Sequence, residues 1–287
     1  MPDFEHDGWR LSYEEQGDGP PLLLLHGLLM DHTVLAPQIE ALKGSYRVIT
    51  PDLRGHGGSE HRSEDRTLWD LMEDQIALLD ALRVESAVWG GHSVAGPISL
   101  RAALRYPDRV AGLVLISTQA GAEHASRLAP YEAFADLVGA QGWTEETLNG
   151  IAASYFGRSA PKELKEHWIE RWRAQDTTDV PQVMRALTRR EGLLDQLNKV
   201  KVPSLVIYGD EDVTALRLEE VELMVAALPL VSEFLRIPNA GHTPTLEQPT
   251  VTAAALLRFL DGLPPSLRRE RAAETDVPNL SPETSDR

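Results

Sequence analysis

No cysteine occurs anywhere in the 287 residues, so disulfides, thiolate metal sites, iron–sulfur clusters and a cysteine nucleophile are excluded outright. Basic residues are scarce beside acidic ones: 28 Lys and Arg against 44 Asp and Glu leave a formal net charge of −16. That sign repels nucleic-acid phosphates and anionic lipid headgroups, so neither nucleic acid nor a membrane surface is an expected partner. No stretch reaches the roughly 18 apolar residues of a membrane span, and the opening MPDFEHDGWRLSY has neither a basic n-region nor an apolar h-region. These absences make a cytoplasmic protein the expectation. What is present is an ordinary composition, 42% hydrophobic and 25% charged, in a chain long enough to bury a sizeable core.

Apolar runs alternate with helical stretches. PLLLLHG (21–27), YRVITPD (46–52), SAVWGGHS (86–93), VAGLVLIS (110–117) and VPSLVIYGD (202–210) are segments of the kind buried on both faces of a parallel sheet. In TLWDLMEDQIALLDALR (67–83), Leu68, Leu71, Met72, Gln75, Ile76, Leu79 and Leu82 recur at steps of three and four, which predicts a helix. The alternation predicts a doubly wound, mostly parallel α/β sheet with reactive groups at the carboxyl ends of its strands. It breaks between Ser117 and Val202. Residues 122–196 hold helix-like stretches, among them PKELKEHWIERWRAQ and PQVMRALTRREGLLDQL, and no convincing buried strand. The expected organisation is a core of 1–121 and 197–263, a helical cap at 122–196, and a disordered tail at 264–287, rich in proline, serine and charge.

Three strand ends carry the chemistry. Gly91-His92-Ser93-Val94-Ala95-Gly96 lies where a strand gives way to a helix, and a serine on so sharp a turn exposes its hydroxyl only if small residues flank it two places before and two after. Gly91 and Ala95 meet that demand, although glycine is usual at the second place. Ser93 could also simply cap the helix. A serine nucleophile needs a base, and the base needs a group to fix its tautomer. Asp212, three residues past Gly209, and His242, in a loop after a final strand predicted at 232–238, follow in the required order. Their bland readings are a helix cap or solvated acid and a locally bonded loop histidine. Asp210 should still point along its strand, and Glu211 is the second choice for the acid. For an oxyanion, Val94 offers one backbone N–H and Leu28, after His26-Gly27, a second. His26, His56 and His92 are read as structural.

Through HGLLMDH, PDLRGHGGSE, GGHSVAG, YGDEDVT and PNAGHT, the chain from about Leu11 to Leu263 resembles the α/β-hydrolase fold proteins with a helical cap, and is similar to oxoadipate enol-lactonases, carboxylesterases and cofactor-free haloperoxidases. The resemblance implies Ser93 as nucleophile, His242 as base, Asp212 as orienting acid, and Leu28 and Val94 as oxyanion donors. Epoxide hydrolases and haloalkane dehalogenases of this fold carry an aspartate where Ser93 stands. The expected activity is hydrolysis of a carboxylic ester or lactone of a small, apolar substrate through an acyl-enzyme, without metal or cofactor. Enol-lactone hydrolysis, carbon–carbon bond hydrolysis and perhydrolysis keep the same triad, and a ligand sensor of the same fold is the reading outside enzymology. Leu29, Met30, His32, Trp143 and Trp168 are the expected wall residues, with Tyr155, Phe156 and Trp172 as further cap aromatics. Packing within the cap is their competing role. Arg158 and Arg171 are the cap arginines considered for an anionic substrate. The oligomeric state is not legible.

Overall fold

The computed structural model describes residues 1–214 and 217–264. One eight-stranded sheet runs in the order β1-β2-β4-β3-β5-β6-β7-β8. Its strands are β1 (Asp3–His6), β2 (Trp9–Gln16), β3 (Pro21–Leu25), β4 (Arg47–Pro51), β5 (Ala87–His92), β6 (Val110–Ile116), β7 (Ser204–Gly209) and β8 (Val231–Ile237). Pairing is parallel from β4 to β8 and antiparallel at β1–β2 and β2–β4. Strands β3, β5, β6 and β7 are buried at every position, because helices cover both faces and leave no solvated side to alternate with. The hairpin β1–β2 escaped the sequence reading for the opposite reason. It is an edge with exposed positions throughout DFEH and part of WRLSYEEQ, so no apolar run marks it.

Helices α1 (Ala36–Leu42), α2 (Leu68–Ala81) and α3 (Ala95–Arg105) follow their strands. Helix α2 starts where the periodicity predicts, at a capping box in which Asp70 N donates to Thr67 Oγ1 (3.3 Å) and Thr67 N to Asp70 Oδ2 (2.7 Å). Between β6 and β7 come α4 (Ala125–Gln141), α5 (Glu145–Tyr155), α6 (Lys162–Arg173) and α7 (Val180–Thr188), with α4 packed on α7 and α5 on α6. The stretch read as one helix from Pro181 to Leu197 stops at Thr188. Past that point Arg190 turns inward, its Nε donating to Gly121 O at 3.0 Å and its Nη1 to Glu123 at 2.7 Å. Helices α8 (Leu218–Ala227), α9 (Pro244–Glu247) and α10 (Pro249–Gly262) complete the chain, α10 packing on α1. Beyond Pro264 the expected tail lies outside the described residues. Among the described residues no helix is long and apolar enough to cross a membrane.

Candidate active site

Strand β5 ends at His92 and α3 begins at Ala95, so Ser93 occupies the turn between them with φ at +56°. The left-handed region costs a non-glycine residue about 1–2 kcal/mol, and the surroundings hold it there. Ser93 N donates to Ile116 O (2.9 Å), while Ser93 O accepts from Gly96 N (3.0 Å) and Thr118 Oγ1 (2.6 Å). A Cβ at Gly91 would stand 2.3 Å from Ala95 O, so only glycine fits there. One at Gly27 would stand 2.6 Å from His92 Nδ1 and 3.2 Å from Ser93 Cβ. That close approach brings the loop holding Leu28 against the serine.

His242 and Asp212 meet across the loops after β8 and β7. His242 Nδ1 lies 2.8 Å from Asp212 Oδ2, with the carboxylate side chain fully buried. The other oxygen, Oδ1, accepts from Thr214 N at 3.0 Å and from Thr214 Oγ1. Asp212 can therefore only accept on both sides, which makes His242 Nδ1 the protonated nitrogen and leaves Nε2 with its lone pair. The rival acids are occupied elsewhere. Asp210 pairs with Arg236 at 2.7 Å on the surface, and Glu211 accepts from Ser159 N (2.8 Å), Ser159 Oγ (2.7 Å) and Arg158 Nε (3.2 Å), tying the inserted helices to the core.

Ser93 and His242 border one cavity of about 620 Å³ whose surface is mainly apolar. Of the expected wall residues, Leu29 and Tyr155 line it, as do Leu28 and Val94, expected as oxyanion donors; Met30, His32, Trp143, Phe156, Trp168 and Trp172 do not. Met30 is wholly buried in the core, and His32 Nδ1 is bound to Asp52 at 2.9 Å. Trp143 stands behind the wall residue Phe134, its Nε1 donating to Gln175 O at 3.2 Å. Trp168 is buried against Trp172, ring centroids 5.8 Å apart. These tryptophans fill the small helical layer, the competing role that the sequence left open. Arg158 and Arg171 also lie off the cavity, on Glu211 and Asp31. The arginines that do line it are Arg127 and Arg190.

Leu28 and Val94 line the cavity, and their backbone N–H groups donate to no protein group among the described residues. The next amide cannot join them, because Leu29 N donates to His56 Nε2 at 3.1 Å. Leu29, at φ +57°, is fixed further by Trp172 Nε1 on its carbonyl (2.8 Å), and Leu28 O accepts from Tyr155 Oη (2.9 Å). His26 Nε2 in turn accepts from Leu53 N at 3.0 Å. Each of these imidazoles takes an amide hydrogen on one nitrogen and so carries its own proton on the other. Among the described residues no group of three or more His, Asp or Glu side chains is placed to hold a metal ion.

A model of the alpha/beta hydrolase fold matches residues 20–249. This chain belongs to the α/β-hydrolase fold family. It is 32% identical over 269 residues to a pimeloyl-[acyl-carrier protein] methyl ester esterase of Stenotrophomonas maltophilia (strain R551-3), a match covering 89% of this chain and 98% of that one. It is 30% identical over 257 residues to 3-oxoadipate enol-lactonase 1 of Acinetobacter baylyi (strain ATCC 33305 / BD413 / ADP1), covering 84% and 90%. Among solved structures, a thermophilic esterase from Thermogutta terrifontis superposes with a TM-score of 0.83 at 28% identity over 93% of this chain and 97% of that one.

In this α/β hydrolase several residues that hold the site were not visible in the sequence. Glu247, buried, accepts four hydrogen bonds: Oε2 from Gly157 N (2.8 Å) and Gly241 N (3.0 Å), Oε1 from Thr243 N (3.2 Å) and Thr243 Oγ1 (2.9 Å). It thus clamps the backbone on both sides of His242 and joins it to the inserted helices. Glutamine would turn an NH₂ group toward two donors. Glu247→Gln is expected to cost about 2–3 kcal/mol of stability and to lower kcat more than it raises KM, read by urea unfolding and steady-state kinetics. His92 donates from Nε2 to His242 O at 2.7 Å, bracing the same loop from beneath.

Burial first, and a neighbouring imidazole second, pull His56 and His92 down to about 3. In the unfolded chain each titrates near roughly 6.5, so the unfolded state binds protons first as pH falls. Their contribution to stability is complete above about pH 6.5 and is lost toward pH 3 at up to about 1.4 kcal/mol per unit for each group. At pH 5 the two together are expected to remove about 4 kcal/mol. Thermal melts at pH 7.5 and 5 check this. An unchanged midpoint would show that these imidazoles are not held neutral.

Proposed function

We propose that this α/β hydrolase cleaves a carboxylic ester or lactone of a small, mostly apolar substrate through Ser93, His242 and Asp212. The observation that carries the reading is the juxtaposition of Ser93, on its left-handed turn, with the Asp212-oriented His242 on the wall of one apolar cavity. His242 Nε2 takes the Ser93 proton as the oxygen attacks the carbonyl carbon, and the Leu28 and Val94 N–H groups receive the oxyanion. His242 then protonates the leaving alkoxide, giving an acyl-Ser93. A water deprotonated by His242 attacks the acyl carbon and releases the acid and Ser93. The esterase and enol-lactonase named among the relatives support a hydrolytic activity on such carbonyls. In this reading the helices of 122–196 act as the cap that closes the cavity over the acyl group.

The charges in the cavity favour a neutral substrate. Arg127 pairs with Glu123 and with Glu220 (2.7 Å), Arg190 pairs with Glu123 (2.7 Å), and Glu146 adds a further acid to the wall. Both arginines are thus matched by carboxylates, inside a chain of net charge −16. A neutral ester is expected to be hydrolysed faster than a dicarboxylate enol-lactone at low salt, and the gap should narrow at 1 M, where the screening length falls to about 3 Å. Assaying a panel of acyl-chain lengths and lactones at both salt concentrations tests the proposal. A dianion turned over faster at low salt, and slowed by added salt, would instead mark the arginine pair as its anchor and favour the enol-lactonase.

A further inference from the structure

A second cavity, of about 280 Å³, adjoins the first, with Arg190 contributing to both walls. The start of α2, Arg101 of α3 and the end of α7 enclose it, and its wall carries Arg66, Arg101, Arg185, Arg189 and Arg190 against Asp65, Asp70 and Glu191. In so acidic a chain this gathering of guanidinium groups is anomalous. Proposed catalysis does not use it.

Arg101 is the centre of the anomaly. It is 1% exposed, Nη1 donating to Pro97 O (3.1 Å) and Nη2 to Glu191 O (2.9 Å), while Nε has no partner. It forms no ion pair among the described residues. The ring of Trp69 lies 5.1 Å from its guanidinium carbon, and Glu191 attracts its charge at longer range while Arg190 repels it. Burial lowers the Arg101 pKa from its ordinary value to about 10, which still leaves a cation at neutral pH. A buried cation without a direct ion-pair partner is costly, and an anion seated beside it would reduce that cost.

Among the described residues no carboxylate of the wall pairs directly with Arg101, and Glu191 acts on it only at longer range. Asp70 is tied to Thr67, and Glu191 Oε2 accepts from Trp69 Nε1 at 3.3 Å. Asp65 reaches only Arg189, at 3.8 Å, and Arg185 reaches Asp136 at 3.5 Å, both carboxylates being about 70% exposed. Such long pairs facing water are easily exchanged, so Arg185 and Arg189 are available to a better acceptor. Arg66 and Arg190 are committed to Asp179 and Glu123.

We propose that this cavity binds a small ligand through an anionic oxygen group, a phosphomonoester or a carboxylate, with Arg101 as the buried anchor and Arg185 and Arg189 as its partners at the rim. Planar guanidinium donors match such oxygens in pairs, and the volume leaves room for a short carbon chain behind the charged group.

Thermal unfolding of the full chain at constant ionic strength tests this without reference to turnover. Inorganic phosphate, glycerol 3-phosphate and succinate are titrated separately against a sodium chloride control. The expected result is a saturable rise in Tm with at least one of the three beyond that of chloride, and the lowest half-point identifies the oxyanion class. Arg101→Gln should abolish the rise. Should that variant fail to fold, Arg185→Gln/Arg189→Gln keeps the anchor and changes one half-buried and one exposed position, and it should raise the half-point tenfold or more. No saturable rise with any of the three, or an unchanged half-point in the rim variant, would overturn the proposal.

Discussion

Replacing Ser93 by alanine is expected to lower kcat for an ester by about 10⁶-fold, leaving only the residual contribution of the oxyanion donors and substrate binding. The fold should be untouched. The backbone contacts that hold the turn, from Ile116, Gly96 and Thr118, use the Ser93 amide and carbonyl rather than its hydroxyl, and alanine meets the same φ of +56° with the same Cβ. Turnover measured beside a thermal melt separates the two effects. A variant that melts like the parent yet retains more than about a hundredth of its activity would remove Ser93 from the chemistry.

Asp212→Asn is expected to lower turnover by about 10⁴-fold, and the structure supplies the reason. Thr214 N–H points at Oδ1, so an asparagine must place its carbonyl oxygen there and turn its NH₂ toward His242 Nδ1. The imidazole then has to accept at Nδ1 and carry its proton at Nε2, the nitrogen that must take the proton of Ser93. The contrasting variants are Asp210→Asn, which loses only a surface pair with Arg236, and Glu211→Gln, which weakens the anchor of Ser159. Neither should lower kcat tenfold. Steady-state kinetics of the three variants identify the acid, and a Glu211→Gln effect larger than that of Asp212→Asn would move it by one residue.

The parts of this fold written in local patterns were legible, and the parts made by distant contacts were not. Buried parallel strands such as PLLLL carry their signature in a single run, whereas the β1–β2 edge, half-solvated, has none. The proposed triad of Ser93, Asp212 and His242 could be picked out because each follows its own strand, with small residues or a glycine close by. The cavity wall could be found only in part, at Leu29 and Tyr155. Trp143 and Trp168 are large and lie in the inserted helices, but whether they face the substrate or their own neighbours depends on how α4–α7 pack, which no window of sequence contains. Arg127 and Arg190 were overlooked because the charge that matters is set by Glu123 and Glu220, the latter more than ninety positions from Arg127. Glu247 reads as one more surface acid in TLEQP, and only the convergence of Gly157, Gly241 and Thr243 on it reveals a clamp.

The central claim is that Ser93 is a nucleophile activated by His242, and covalent labelling tests it most directly. A fluorophosphonate is attacked only by a serine whose hydroxyl is deprotonated as it reacts, and the adduct can be located by mass spectrometry of the digested chain. The expected result is one adduct per chain on the peptide containing Ser93, absent in Ser93→Ala and formed far more slowly in Asp212→Asn. An adduct on another residue with Ser93 unmodified, or no adduct in protein that hydrolyses esters, would contradict it.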